Sequence, residues 1–346
     1  VPSSTKADIV LQTMRLGPQW PTMDPFLFCA HHDDAYPPGD DRLAPAVPIE
    51  GRDLGMDFSG KDGWSMYHGH PIPGFPAHPH RGFETVTYVR SGFIDHSDSL
   101  GAAARFGRGD VQWLTAGRGI VHAEMFPLLE RERPNPLELF QIWLNLPADS
   151  KMVDPYFTML WADGVPVVRV ADDEGRATEI TVIAGRLAGV TAPASPPDSY
   201  AGGDGSDVAV WHISLEPGAR WEVPPAAGPQ TGRVLYVFEG DRVRVAGTEV
   251  GADTGVVVRA EVPAALEAGA EHVDVLMLQG RPIGEPVARY GPFVMNTRRE
   301  IEQAFRDYHA TGFGGWPWDG QAPTQGRDRG RFARHVDGRV EEPAGA

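Results

Sequence analysis

From Phe83 onward the chain is written in short runs of β-branched and aromatic residues, each closed within a few positions by Gly, Pro, Asp or Ser. FETVTYVRSG, DVQWLTAG, LELFQIWLNLP, EITVIAG, VAVWHISLEPG, GRVLYVFEGD, GVVVRAE and HVDVLMLQG follow one another with little room for helix between them. Runs of this length between turn formers extend and pair, but they are too short to present a helical face. In LELFQIWLNLP, Phe140, Ile142, Leu144 and Leu146 alternate with Leu139, Gln141, Trp143 and Asn145, as a strand with one apolar and one mixed face requires. The 41 glycines and 32 prolines have no three-residue period, so they mark turns rather than a collagen repeat.

The strand–turn pattern occurs twice, around 83–147 and again around 208–278, with the Pro/Gly/Ser/Asp-rich excursion 193–207 reading as a surface loop. Two packed β units are therefore expected, divided as 1–160 and 161–318. Ser91-Gly92 reads as the turn of a hairpin. Residues 31–74 read as long turns with one strand near Trp64–Tyr67, and residues 1–30 show little periodicity. Ile301, Ala304, Phe305 and Tyr308 fall at helical spacing before Gly312, which predicts a helix near 299–310. Residues 319–346 read as an extended or partly disordered polar tail.

Several function classes lack support. A net charge of −16 opposes nucleic-acid backbones and anionic membranes, so no direct nucleic-acid binding is expected. No run of 18 apolar residues is present to span a bilayer. The N-terminus, VPSSTKADIVLQTM, lacks the basic start and apolar core of a signal peptide. The single Cys29 permits no intrachain disulfide, and the expected compartment is the cytoplasm. There is no GxxxxGK[ST] phosphate loop, no GxGxxG between strand and helix, and no GxSxG elbow.

The chemistry concentrates in two doublets, His78-Pro-His80 and His122-Ala-Glu124. Residues two apart on a strand share a face, so neighbouring strands can bring all four side chains to one ion. Imidazole and carboxylate donors suit Fe, Mn, Ni, Cu, Co or Zn. The opposing reading makes them polar residues at a cavity mouth, satisfied by Arg81, Arg118 and water. From spacing, Glu84 competes evenly with Glu124 as the carboxylate donor. His68 and His70 form another doublet without an acidic companion. His31 and His32 suit a loop, His96 a pocket edge, and His212 and His272 stand apart in the second half.

F75-P-A-H-P-H-R-G-F-E-T-V-T-Y88, H96-S-D-S-L100 and G109-D-V-Q-W-L-T-A-G-R-G-I-V-H-A-E-M125 together resemble the pirin family, as do E285-P-V-A-R-Y-G-P-F-V-M-N-T297 and the helix after it. His78-Pro-His80-Arg-Gly-Phe-Glu84 and the Gly-rich stretch before His122 also resemble the two half-motifs of cupins. The resemblance implies an all-β bicupin of two antiparallel β-barrel or jelly-roll domains with a C-terminal helix, the second domain metal-free. It implies His78, His80, His122 and Glu124 as metal ligands, with Glu84 assigned to the surroundings. Fe(II) is the implied metal, with Ni, Mn, Co, Cu or Zn accepted by the same donors. The implied function is quercetin 2,3-dioxygenase chemistry on a planar phenol and O₂, in which Glu124 takes the substrate proton. The alternative is an iron-binding transcriptional co-regulator or protein-interaction module without turnover. The 31–74 region is longer than in compact relatives, which bears on the pocket mouth and on substrate identity.

Overall fold

The computed structural model describes residues 9–228 and 230–344. The signal-peptide expectation rests on residues 1–14, of which 1–8 lie outside the described residues. Two compact units are present, neither contiguous in sequence. Ala30–Gly164 joins the segment from Glu285 onward, and Val165–Gly284 joins the segment ending at Cys29. Among the described residues, no helix is long and apolar enough to cross a membrane.

In the unit built on Val165–Gly284, a seven-stranded sheet runs in the order Val10–Arg15, Thr254–Val258, Gly232–Glu239, Val273–Gly280, Ala209–Leu215, Ala177–Ala184, Val167–Ala171. A four-stranded sheet, Arg220–Val223, Ala264–Ala268, Val243–Val245, Thr248–Val250, shares its core. Ile180, Trp211, Ile213, Leu235, Val256 and Met277 of the larger sheet pack with Val223, Val243 and Leu266 of the smaller. The residues of this shared cluster are apolar, while His212, Arg233, Asp274 and Gln279 are also buried in the unit.

In the unit built on Ala30–Gly164, a five-stranded sheet runs Tyr156–Leu160, Val111–Thr115, Phe83–Ser91, Asn135–Asn145, Phe26–Tyr36. A six-stranded sheet runs Val340–Glu341, Phe332–Arg334, Ala103–Gly107, Phe93–Asp98, Ile120–Met125, Gly74–His80. The expected all-β architecture with a C-terminal helix is present, but its sheets are not closed into barrels or jelly rolls. Each unit pairs two separate sheets whose outer strands end the ladder, among the described residues. Alternating sequence specifies which face of a strand is buried, not which edge is paired. Gly74–His80 shows how an edge is stopped: Pro76 and Pro79 have no N–H to extend the ladder. The Ala77 N–H between them bonds the Gln321 carbonyl at 2.7 Å.

Ser91-Gly92 is not a hairpin. Phe83–Ser91 pairs with Val111–Thr115 and Asn135–Asn145, whereas Phe93–Asp98 pairs with Ala103–Gly107 and Ile120–Met125. Gly92, at φ 76°, turns the chain from one sheet to the other. The Phe26–Tyr36 strand carries His31 and His32, placed in a loop by sequence, while Trp64–Tyr67 forms no strand.

The C-terminal segment is ordered against the six-stranded sheet. Phe332–Arg334 pairs with Ala103–Arg105. The fully buried Arg105 donates to both Asp95 oxygens at 2.7 Å and to the Gly326 and Arg329 carbonyls at 2.6 Å. A polar, Gly-rich composition hid this because the segment contributes mostly backbone acceptors. The helix spans Arg298–Thr311, capped reciprocally by Thr297 and Glu300 and ended by Gly312 at φ 54°. Its Ile301 and Ala304 pack with Phe293, Met295, Phe313 and Val121.

The stretch preceding Gly74 is held by buried polar groups. Asp34 accepts from the Ser65 N–H at 2.8 Å and the Tyr67 hydroxyl at 2.7 Å. Arg52 lies 3.4 Å over the Trp64 ring and donates to Asp57 and to the Lys61 and Trp64 carbonyls. Burial pushes the Asp34 carboxyl up from 3.8 to about 6. The folded chain therefore binds more protons than the unfolded one between those values, and loses stability as pH rises through that window. Asp34→Asn is expected to flatten this part of the stability profile, read as urea midpoints at several pH values; an unchanged slope would assign it to another group.

Candidate metal centre

Gly74–His80 and Ile120–Met125 pair antiparallel with His78 opposite His122 and His80 opposite Ile120. On its other side Ile120–Met125 pairs with Phe93–Asp98, placing His96 opposite Glu124 and Asp98 opposite His122. The two-residue strand period then puts His78, His80, His122, Glu124, His96 and Asp98 on one face. The alternate residue Val121 points the other way, into the cluster under the helix.

The rings of His78, His80 and His122 converge, with centroids 4.5–5.0 Å apart. One nitrogen from each lies within 4.8 Å of the others, a geometry suited to a single cation. Burial holds all three imidazoles neutral: His78 is pushed down to about 4, and His80 and His122 well below the ordinary histidine range. A neutral imidazole keeps the lone pair a metal requires. His78 uses Nδ1 on the Pro76 carbonyl at 2.8 Å, and the His80 ring bonds the Pro292 carbonyl. Nδ1 of His80 and both nitrogens of His122 are buried without a hydrogen-bond partner. Each such atom costs about 1–3 kcal/mol unless something satisfies it. The donor set and these buried nitrogens fit a divalent transition metal.

Glu124 is buried on the same strand face, its Oε2 3.8 Å from His122 Nε2. Burial raises its carboxyl, and His96 and Thr87 act against that rise. Gln141 Nε2 donates to Glu124 Oε2 at 3.4 Å. The Thr87 hydroxyl lies 2.6 Å from Gln141 Oε1 and 3.2 Å from Glu124 Oε1. These two side chains come from the facing sheet, where Thr87 and Gln141 are directly opposed. Glu84, three residues before Thr87 on the same strand, takes the opposite face and accepts from Thr115 Oγ1 at 2.7 Å. Spacing left the two glutamates level; strand parity separates them.

Other sequence candidates fall elsewhere. Arg81 donates to the Arg118 carbonyl and to Asp307, and Arg118 pairs with Asp154, so neither satisfies the histidines. His31 bonds Glu138 and stacks on Phe140, while His32 bonds the Tyr67 hydroxyl. His68 and His70 are exposed, and His212 and His272 meet at Asp274 in the other unit. Met125 packs with Leu43, Ala44 and Ile72. His96, expected at a pocket edge, is fully buried with its ring 5.5 Å from that of His122. Trp143 lies 5.4 Å from His80 and packs against Phe83 with ring planes tilted by 35°.

Sequence reasoning missed Thr87, the role of Gln141, and Lys151. The alternation of Gln141 and Trp143 was the available signal. Lys151 had none: it is buried, donates to the Gly82 carbonyl at 2.8 Å and to Asn145 Oδ1 at 2.7 Å, and is lowered to about 8 by burial. It braces the turn after His80, where Gly82 has φ 85° and a Cβ would sit 2.0 Å from the Val294 oxygen.

A family model described as Pirin matches residues 9–144, and one described as Pirin C-terminal cupin domain matches residues 210–314. A pirin-like protein of Caulobacter vibrioides is 42% identical over 237 residues, 68% of this chain and 79% of that one. A Pseudomonas aeruginosa protein provisionally named quercetin 2,3-dioxygenase is 40% identical over 237 residues, covering 68% and 77%. The solved structure of a quercetin 2,3-dioxygenase from Acinetobacter baumannii superposes with a TM-score of 0.70 at 26% identity, covering 88% of this chain and 98% of that one.

His122→Ala is expected to lower bound metal after Fe(II) or Ni(II) loading from about one ion per chain to a small fraction, with the circular dichroism spectrum retained. Glu84→Gln should bind like the wild type, whereas Gln141→Leu should weaken affinity by about tenfold through the loss of a partner of Glu124. Metal analysis after dialysis decides; equal losses for Glu84→Gln and His122→Ala would contradict the site.

Proposed function

The chain belongs to the pirin family, and from that premise we propose that it is a metal-dependent dioxygenase of the quercetin 2,3-dioxygenase type, acting on a flavonol-like planar phenol with O₂. The observation that carries this reading is the convergence of three neutral buried imidazoles beside a clamped glutamate. The 0.70 TM-score with a quercetin 2,3-dioxygenase supports it.

In this reading His78, His80, His122 and Glu124 hold the ion, with Fe(II) the expected metal and Ni, Mn, Co, Cu or Zn compatible with the same donors. When bound, the ion supplies Lewis-acid polarisation of a substrate hydroxyl and a route to dioxygen chemistry. Glu124 accepts the proton of that hydroxyl. Gln141 and Thr87 fix the carboxylate plane during the transfer. Trp143 and Phe75, both half-buried beside the histidines, orient a flat ring and exclude water.

The test is oxygen uptake after anaerobic Fe(II) loading, with a small flavonol panel and simultaneous carbon monoxide detection. Metal-dependent uptake with matching carbon monoxide release is expected. Loaded metal without uptake on any flavonol would overturn the enzyme reading and favour a metal-dependent interaction module or co-regulator. Glu124→Gln is expected to lower kcat by about 10²–10⁴-fold. Full turnover in a metal-loaded variant would remove the proton role.

A further inference from the structure

Phe58 is a phenyl ring held out of the fold, 53% exposed, on a loop whose backbone is tightly clamped. Arg52 ties the loop to Asp57, Lys61 and Trp64, and Asp57 bonds Ser59 and the Met66 N–H. Tyr67 is kept at φ 56°, a conformation that bulky residues rarely adopt, by backbone bonds to Asp57 and its hydroxyl bond to Asp34. Substantial local structure thus holds an apolar ring in solvent.

The ring stands at the outer end of a file of rings that leads to the metal centre. Phe58 and His68 have centroids 5.1 Å apart, His68 and Phe75 5.7 Å, and Phe75 and His78 6.3 Å. Successive planes are inclined at 74°, 69° and 61°, so the strip offers alternating faces and edges. Aromatic ligands are held by both arrangements. His68 is fixed by its Nδ1 donating to the Gly55 carbonyl at 2.6 Å. Phe75 also packs on Tyr67 and Phe126 and so belongs partly to the core, whereas the ring contacts of Phe58 are with Tyr67 and His68 alone among the described residues.

We propose that Phe58, His68 and Phe75 form a specificity wall at the mouth of the metal centre, selecting multi-ring planar phenols over single-ring ones. This rests on the phenol-binding reading of the centre. A one-ring ligand at His78 meets Phe75 and ends there; only a longer fused or linked aromatic reaches His68 and Phe58. The wall itself carries no carboxylate or guanidinium, and Arg52 and Asp57 behind it neutralise each other at 2.9 Å. It therefore suits the uncharged remote ring of such a ligand.

The experiment titrates anaerobic, Ni(II)-loaded full-length chain with quercetin and, separately, with catechol, following tryptophan quenching. Phe58→Ala and Phe58→Leu are each expected to weaken quercetin about three- to tenfold while leaving catechol affinity and metal content unchanged, and Phe58→Trp to restore quercetin binding. Equal weakening of both ligands, or no change in either, would overturn the wall and leave the phenol reading standing. Wild-type chain that binds catechol but not quercetin would overturn the wall alone. Binding of neither ligand would remove the phenol reading and the wall with it.

Discussion

Three imidazoles withdrawn from water into one pocket set the terms for everything around them. Burial makes their protonated forms costly, and their closeness makes more than one positive charge costlier still. They stay neutral with nitrogens that lack partners, an arrangement tolerable only if the strands bearing them are held from every side. The structure supplies that support. The antiparallel ladder opposes His78 to His122, Lys151 braces the turn after His80, and Arg81 ties that turn to Asp307 on the helix. The helix packs on Val121, on the reverse face of the His122 strand.

Support also comes from the facing sheet, which is why two separate sheets serve here better than one continuous ladder. Thr87 and Gln141 reach Glu124 across the interior, and neither is a neighbour of the metal doublets in sequence. The carboxylate is therefore positioned by side chains whose own strands are fixed independently of the ligand strands. The same division explains Glu84, which sits a few residues from His80 yet belongs to the opposite side of the other sheet.

The six-stranded sheet depends on a second buried charge. Arg105 donates to Asp95 and to two carbonyls of the C-terminal segment, so that segment accepts half of these hydrogen bonds and also lengthens the sheet. A buried guanidinium left with unfilled donors would be strongly destabilising. The order of a polar, Gly-rich stretch thus follows from the needs of a residue more than 200 positions earlier.

The sequence by itself determined the β class, the helix with its stop at Gly312, the convergence of His78, His80 and His122, and family membership. The first two rest on short-range periodicity, the histidines on doublet spacing along two strands, and family membership on motif blocks spread from residue 75 to residue 308. Only the tertiary structure decided that the sheets stay open, that Ser91-Gly92 crosses between sheets, and that Thr87, Gln141 and Lys151 brace the site. For Glu124 against Glu84, level by spacing and separated by the family resemblance, it supplied the physical reason in strand parity. Strand pairing, edge protection and burial of a charge are set by partners far apart in the chain, and a local pattern specifies a face without naming what will lie against it.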